Sequence, residues 1–136
     1  MQHSTDALIF NRENQLNQLK TKYLAKNFSL GDIYLCYQTY QDLIIVKKWD
    51  KVEFNNTDDF IYIMASHSTL PETSIIIPCK SFTDWSISKI KTYFNELSNS
   101  YKNDNINIKD PRSFVLAIQD EDSSIVYYQL SEEISI

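Results

Sequence analysis

At Lys47 and Lys48 the apolar spacing of this 136-residue chain changes from three- and four-residue steps to short aromatic and β-branched runs. The first pattern belongs to helices and the second to strands, so the change restricts the chain to a fold that combines both. Ahead of it, Asp6 can cap a first helix in which Leu8, Arg12, Leu16, Leu19 and Tyr23 share one stripe. Ser29-Leu30-Gly31-Asp32 ends one element and caps the next, where Ile33, Cys36, Tyr37, Tyr40, Leu43 and Ile44 form a face expected to be mostly buried. Beyond it, residues 49–54 and 60–65 read as a strand pair joined by the turn Asn55-Asn56-Thr57-Asp58-Asp59. A third strand, residues 74–78, follows a polar loop containing His67 and Pro71, and its unbroken Ile75-Ile76-Ile77 implies burial on both faces. Thr83, Asp84 or Ser86 can start a third helix, with Ile87, Ile90, Phe94, Leu97 and Tyr101 at helical spacing and the polar residues 103–110 after it. The chain closes with a hairpin, residues 113–118 and 124–130, around the acidic turn Gln119-Asp120-Glu121-Asp122-Ser123.

Several function classes fall away on composition. Apolar residues make up 43% of the chain and aromatics 13%, enough for a real core and too much for a disordered segment. No apolar run approaches the roughly 18 residues of a membrane span. The first six residues lack the basic and apolar regions of a secretory signal and are not Arg-rich, so an intracellular protein is expected. Cys36 and Cys79 are in no metal or redox spacing and read as reduced thiols. The single glycine, Gly31, excludes the glycine-rich phosphate-cradling loops, which need backbone without Cβ against the ligand. No repeat and no Pro- or Gly-rich linker marks a boundary, so residues 1–136 are expected to form one domain.

Charge is unevenly placed. Residues 1–112 hold all 13 Lys and Arg and 13 of the 18 acids, and the whole net charge of −5 sits beyond residue 112 on Asp120, Glu121, Asp122, Glu132 and Glu133. A chain end with acid and no base is repelled by phosphate and attracted to basic protein surface, although acids can also simply solubilise an apolar hairpin. In the last strand Val126, Tyr128 and Leu130 share one face and Ile125 and Tyr127 the other, so neither face is polar. A terminal strand without Lys or Pro to blunt it is either central in its sheet or an edge ready to pair with another chain.

Ser113-Phe114-Val115-Leu116-Ala117-Ile118, followed by Asp122-Ser123-Ser124-Ile125-Val126-Tyr127-Tyr128-Gln129-Leu130, resembles the C-terminal hairpin of the SEN-fifteen-type structural subunit of the eukaryotic tRNA-splicing endonuclease. Tyr40-Gln41-Asp42-Leu43 with Trp49 six residues later looks like that family's second helix and first strand, and Ile76-Ile77-Pro78 ahead of the Ile90 helix keeps the same order. The likeness spans about residues 28–131, which leaves 1–27 as a peripheral N-terminal helix and 132–136 as a tail. It implies an α/β (α+β) fold like the tRNA-intron-endonuclease C-terminal domain, itself restriction-endonuclease-like, with a mixed sheet flanked by helices and a C-terminal β-hairpin. It also implies a heterotetramer that excises introns from precursor tRNA, leaving a 2′,3′-cyclic phosphate and a 5′-hydroxyl, in which this type of subunit is structural and non-catalytic. By the same resemblance the last strand, with Ile125, Val126, Tyr127, Tyr128 and Leu130, pairs with a catalytic subunit. The acidic loop of Asp120, Glu121 and Asp122 enters a basic groove on the opposing heterodimer. Precursor tRNA would be met through the complex, in the nucleus or on the cytosolic face of the mitochondrial outer membrane, and the isolated chain could pair with itself as a homodimer.

The residues agree with a subunit that does no chemistry. Metal-free RNA cleavage of this kind needs a base for the 2′-hydroxyl, an acid for the leaving oxygen and a cation for the phosphorane, which the family's enzymes supply as Tyr, His and Lys. His3 lies at the terminus and His67 sits in Ser66-His67-Ser68-Thr69 without flanking glycine. Arg112 and Ser113 stand where the catalytic Lys would precede the penultimate strand. No catalytic, cofactor or metal residues are therefore assigned. Ser66 and His67 lack a nucleophile elbow, and Asp58-Asp59 and Asp120-Glu121-Asp122 lack EF-hand spacing, so both read as loop and turn residues. Lys20, Lys22 and Lys26, with Lys47, Lys48 and Lys51, are interspersed with acids such as Asp50 and Glu53 and read as solvated surface. The competing readings are an independent RNA-binding module or self-associating scaffold, and a stand-alone nuclease. Affinity of the purified chain for tRNA marks the first and unaided cleavage of precursor tRNA the last.

Overall fold

The computed structural model describes residues 5–67, 69–101 and 113–131. Helix α1, Thr5–Leu24, begins one residue before Asp6, which therefore lies in its first turn and not at its cap. It stops where Asn27 turns left-handed at φ 68°. The amide of Phe28 donates to the Tyr23 carbonyl and that of Asn27 to the Leu24 carbonyl, and the Phe28 ring packs edge-on against Tyr23 at 5.8 Å. These two bonds and one apolar contact are the helix-ending device in which glycine usually takes the left-handed position. Two residues later the Ser29 hydroxyl accepts from the Asp32 amide, 3.1 Å away, and starts α2, Leu30–Gln41. The last turn of α2 widens into a π-helical turn, Asp42–Val46, whose end carries Lys48 at φ 59°.

Five strands follow in the spatial order of the chain: β1, Lys51–Asn56; β2, Ile61–His67; β3, Leu70–Lys80; β4, Ser113–Gln119; and β5, Ile125–Ser131. All neighbours are antiparallel except β3 and β4, which run parallel. Parallel neighbours need a crossover, and α3, Ile87–Tyr101, lies in that connection, so the sheet is mixed as expected. Ser86 starts α3 by accepting from the Lys89 amide at 3.0 Å, the third of the three starts the sequence offered.

Helices cover both faces. Ile75 and Ile77 join Tyr62, Phe94, Leu97, Phe114 and Leu116 between the sheet and α3. Ile76 joins Leu43, Ile63, Ala65 and Ala117 on the opposite face, and Leu19 and Tyr23 of α1 pack there with Ile33, Cys36, Tyr37 and Ile61. All three consecutive isoleucines are buried, as their run implied. Cys36 and Cys79 are free and buried. The loop expected around His67 and Pro71 is a tight strand connection instead. His67 pairs with Leu70, both belong to strands, and β2 and β3 therefore extend past the expected 60–65 and 74–78. Gln119, expected in the acidic turn, is the last residue of β4 and is buried, and β1 begins two residues after Trp49.

Candidate partner-docking edge

The acidic turn is compact. The Asp120 amide donates to the Ser124 carbonyl and the Ser123 amide returns to the Asp120 carbonyl, each at 2.9 Å. Ser123 is left-handed at φ 69°. A type I turn followed by a left-handed residue is a common three-residue hairpin closure, normally with glycine where Ser123 stands. Asp120 Oδ1 accepts from the Glu121 amide at 2.8 Å and from the Ser81 hydroxyl at 3.4 Å. Asp122 Oδ1 accepts from the Ser124 hydroxyl at 2.6 Å and its amide at 3.0 Å, bonds that hold this carboxyl below the usual aspartate range. Asp120, Glu121 and Asp122 are all exposed, so the turn is ordered by its own carboxylates while presenting three negative charges to solvent.

The root of the turn is fixed from two directions. Buried Gln119 donates its amide nitrogen to Gln38 of α2 and accepts from the Lys80 ammonium at the end of β3. The Ser81 amide also donates to the Gln119 carbonyl. Gln38 and Lys80 carry no signal in the sequence and Gln119 reads there only as part of the turn; the β3–β4 pairing and the packing of α2 bring the three together.

Beyond the turn, β5 pairs with β4 from Gln119↔Ile125 to Ser113↔Ser131 and has no strand on its other side among the described residues. Ile125 and Tyr127 are half-buried toward α2, and Leu130 is half-buried toward α3. Val126 and Tyr128 lie across from Ile118 and Leu116, yet are 50% and 58% exposed. Of the five strand residues singled out in the sequence, these two supply the outward apolar surface and the other three root the strand in the core. Tyr127 does so with its hydroxyl, which donates to Asp42, and burial followed by that carboxylate pushes its pKa up. The opposite edge strand differs: β1 carries exposed Lys51 and Glu53, 3.8 Å apart, whereas β5 has no charged residue. Edge charges discourage pairing, so the two edges are unequal.

The Sen15 protein family matches residues 38–135, nearly three quarters of the chain. The chain belongs to the Sen15 family. It is thereby a subunit of the tRNA-splicing endonuclease. No curated protein matches the chain significantly. The Sen15 match begins in the last turn of α2 and takes in the acidic turn and β5.

His67 stacks on Trp49 with ring centres 4.5 Å apart, and its Nδ1 is 4.0 Å from an Asp50 carboxylate oxygen. The Ser113 hydroxyl, at the start of β4, accepts from the Gln129 side chain at 3.3 Å. His3, Arg112, Glu132 and Glu133 lie outside the described residues. Among the described residues no three His, Cys, Asp or Glu side chains are grouped to hold a metal ion, and no helix is long and apolar enough to cross a membrane.

Proposed function

We propose that this Sen15 chain is the non-catalytic structural subunit of the tRNA-splicing endonuclease, with residues 1–136 acting as one domain. It completes a catalytic subunit through β5 and bridges two heterodimers through Asp120, Glu121 and Asp122. The observation that carries this reading is the asymmetry of the sheet: one edge is blunted by charge, while the other is uncharged and backed by exposed Val126 and Tyr128. A strand added at β5 would gain main-chain hydrogen bonds and bury both side chains, the basis of strand-addition recognition. A stable interface of ordinary size buries on the order of 1,600 Å2 in total, so β5 would be the centre of a larger contact. The neighbouring turn offers a preformed negative prong for a basic groove. Ser113 in place of a lysine at the head of β4, and His67 engaged with Trp49 and Asp50, favour a structural over a catalytic role.

The test is reconstitution of the complex with substituted chains. Asp120→Lys, Glu121→Lys and Asp122→Lys together are expected to abolish the tetramer and leave the pairwise dimer, read by size exclusion. Val126→Lys or Tyr128→Lys is expected to abolish the dimer itself. Normal assembly by all these variants would overturn the reading.

A further inference from the structure

A cleft of about 320 Å3 opens on the α2 side of the sheet, with Tyr127 of β5 in its wall and none of the acidic-turn residues in its lining. Its floor includes Leu43 and Ile76, Trp49 and Tyr127 line it, and Lys47 and Ser74 contribute its polar groups. That volume is at the small end of the roughly 300–1,000 Å3 of ligand pockets, room for one planar group and little more. Trp49 is positioned before anything enters, because His67 stacks on it at 4.5 Å. Lys47 Nζ stands 5.2 Å from the centre of the Tyr127 ring.

The surrounding charges are not equivalent. Asp42 accepts the Tyr127 hydroxyl, Asp50 is 4.0 Å from His67, and Glu53 is 3.8 Å from Lys51. Among the described residues Lys47 and the exposed Lys48 have no carboxylate within ion-pair distance, so the cations at this end of the sheet are available to an outside anion. Aromatic rings and an apolar floor beside lysines that pair with no carboxylate are the combination that holds an unstacked base with its phosphate, and the Ser74 hydroxyl can bond a base edge.

We infer that this cleft takes one unpaired nucleobase of RNA, with Lys47 and Lys48 meeting the adjoining phosphate. The inference rests on Sen15 membership and not on the docking role of β5, so the two can fail separately. Ultraviolet cross-linking of the full chain to a ten-nucleotide single-stranded RNA, with peptide mapping and salt-dependent titration, tests it. Cross-links are expected at Trp49 or Tyr127, and the same strand in a duplex should bind more weakly. Trp49→Ala is expected to lower affinity roughly five- to 150-fold, the usual range for losing one base–aromatic stack. Because that change removes packing, Lys47→Ala with Lys48→Ala serves as the fold-preserving variant. It should reduce the slope of log K against log salt by about 0.7, the value for one phosphate contact to a single strand, while Lys91→Ala on α3 leaves it unchanged. Equal binding of duplex and single strand, cross-links confined to other segments, or an unchanged slope in the double variant would overturn it. So would protection of Trp49 by a bound catalytic subunit in the absence of RNA, which would assign the cleft to a protein side chain.

Discussion

Glu96 of α3 holds Oε2 out of water with no donor to it among the described residues, and its carboxyl faces Asp59. Burial, and then the neighbouring Asp59 and Asp58, push its pKa up from 4.5 to about 7. The folded chain therefore keeps a proton that the unfolded chain releases, and this contribution to stability is present below about pH 4.5 and lost as pH rises through 7. Glu96→Gln keeps the shape and removes the titration. Its melting temperature is expected to exceed the wild type's most at pH 8 and least at pH 4.5, read by thermal unfolding across that range. Tyr23 is a second misfit. Its buried hydroxyl has no hydrogen-bond partner among the described residues, and its pKa is raised, chiefly by burial, to about 12. Tyr23→Phe is expected to be neutral or to stabilise by up to about 1 kcal/mol, measured by denaturant unfolding, because it deletes a polar atom that nothing satisfies.

Strands and turns carry a different kind of prediction. Ser123 occupies a left-handed position at φ 69° where a Cβ is unwelcome, so Ser123→Gly is expected to stabilise the hairpin by up to about 1 kcal/mol with assembly unchanged. Ile77→Ala, in the α3-side core, should cost about 2–5 kcal/mol by the same denaturant measurement. The helices and the last hairpin were legible in the sequence because their signals are local: Ser29 caps α2 as expected, Ser86 is one of three starts offered for α3, and β5 alternates as its pattern requires, whereas the cap expected at Asp6 falls inside α1. The length of β3 was not. Pro71 and Pro78 argue for a shorter strand, yet Pro78 lies opposite Ala117 in the parallel ladder, and His67 pairs across a tight connection. The π-helical turn after α2 escaped for another reason: the apolar steps through Leu43 and Ile44 read the same whether or not the turn is widened. Asp120, Glu121 and Asp122 were visible as a charge cluster, whereas the Trp49 and Tyr127 cleft was not, since its walls come from segments far apart in the chain.

For the whole molecule, the separation of charge from apolar edge makes two contacts distinguishable by salt. A contact made by the exposed turn should weaken as the screening length falls below about 10 Å above 0.1 M salt, while one made by Val126 and Tyr128 should persist. Raising salt on the reconstituted complex is thus expected to release dimers before it releases single chains, followed by light scattering. Lys80, Gln119 and Gln38 tie the turn to both the sheet and α2. A prong clamped at its base surrenders little freedom when it docks. Gln119→Ala would leave every acid in place and still shorten the lifetime of the assembly, because the loosened finger must be stilled each time it is grasped.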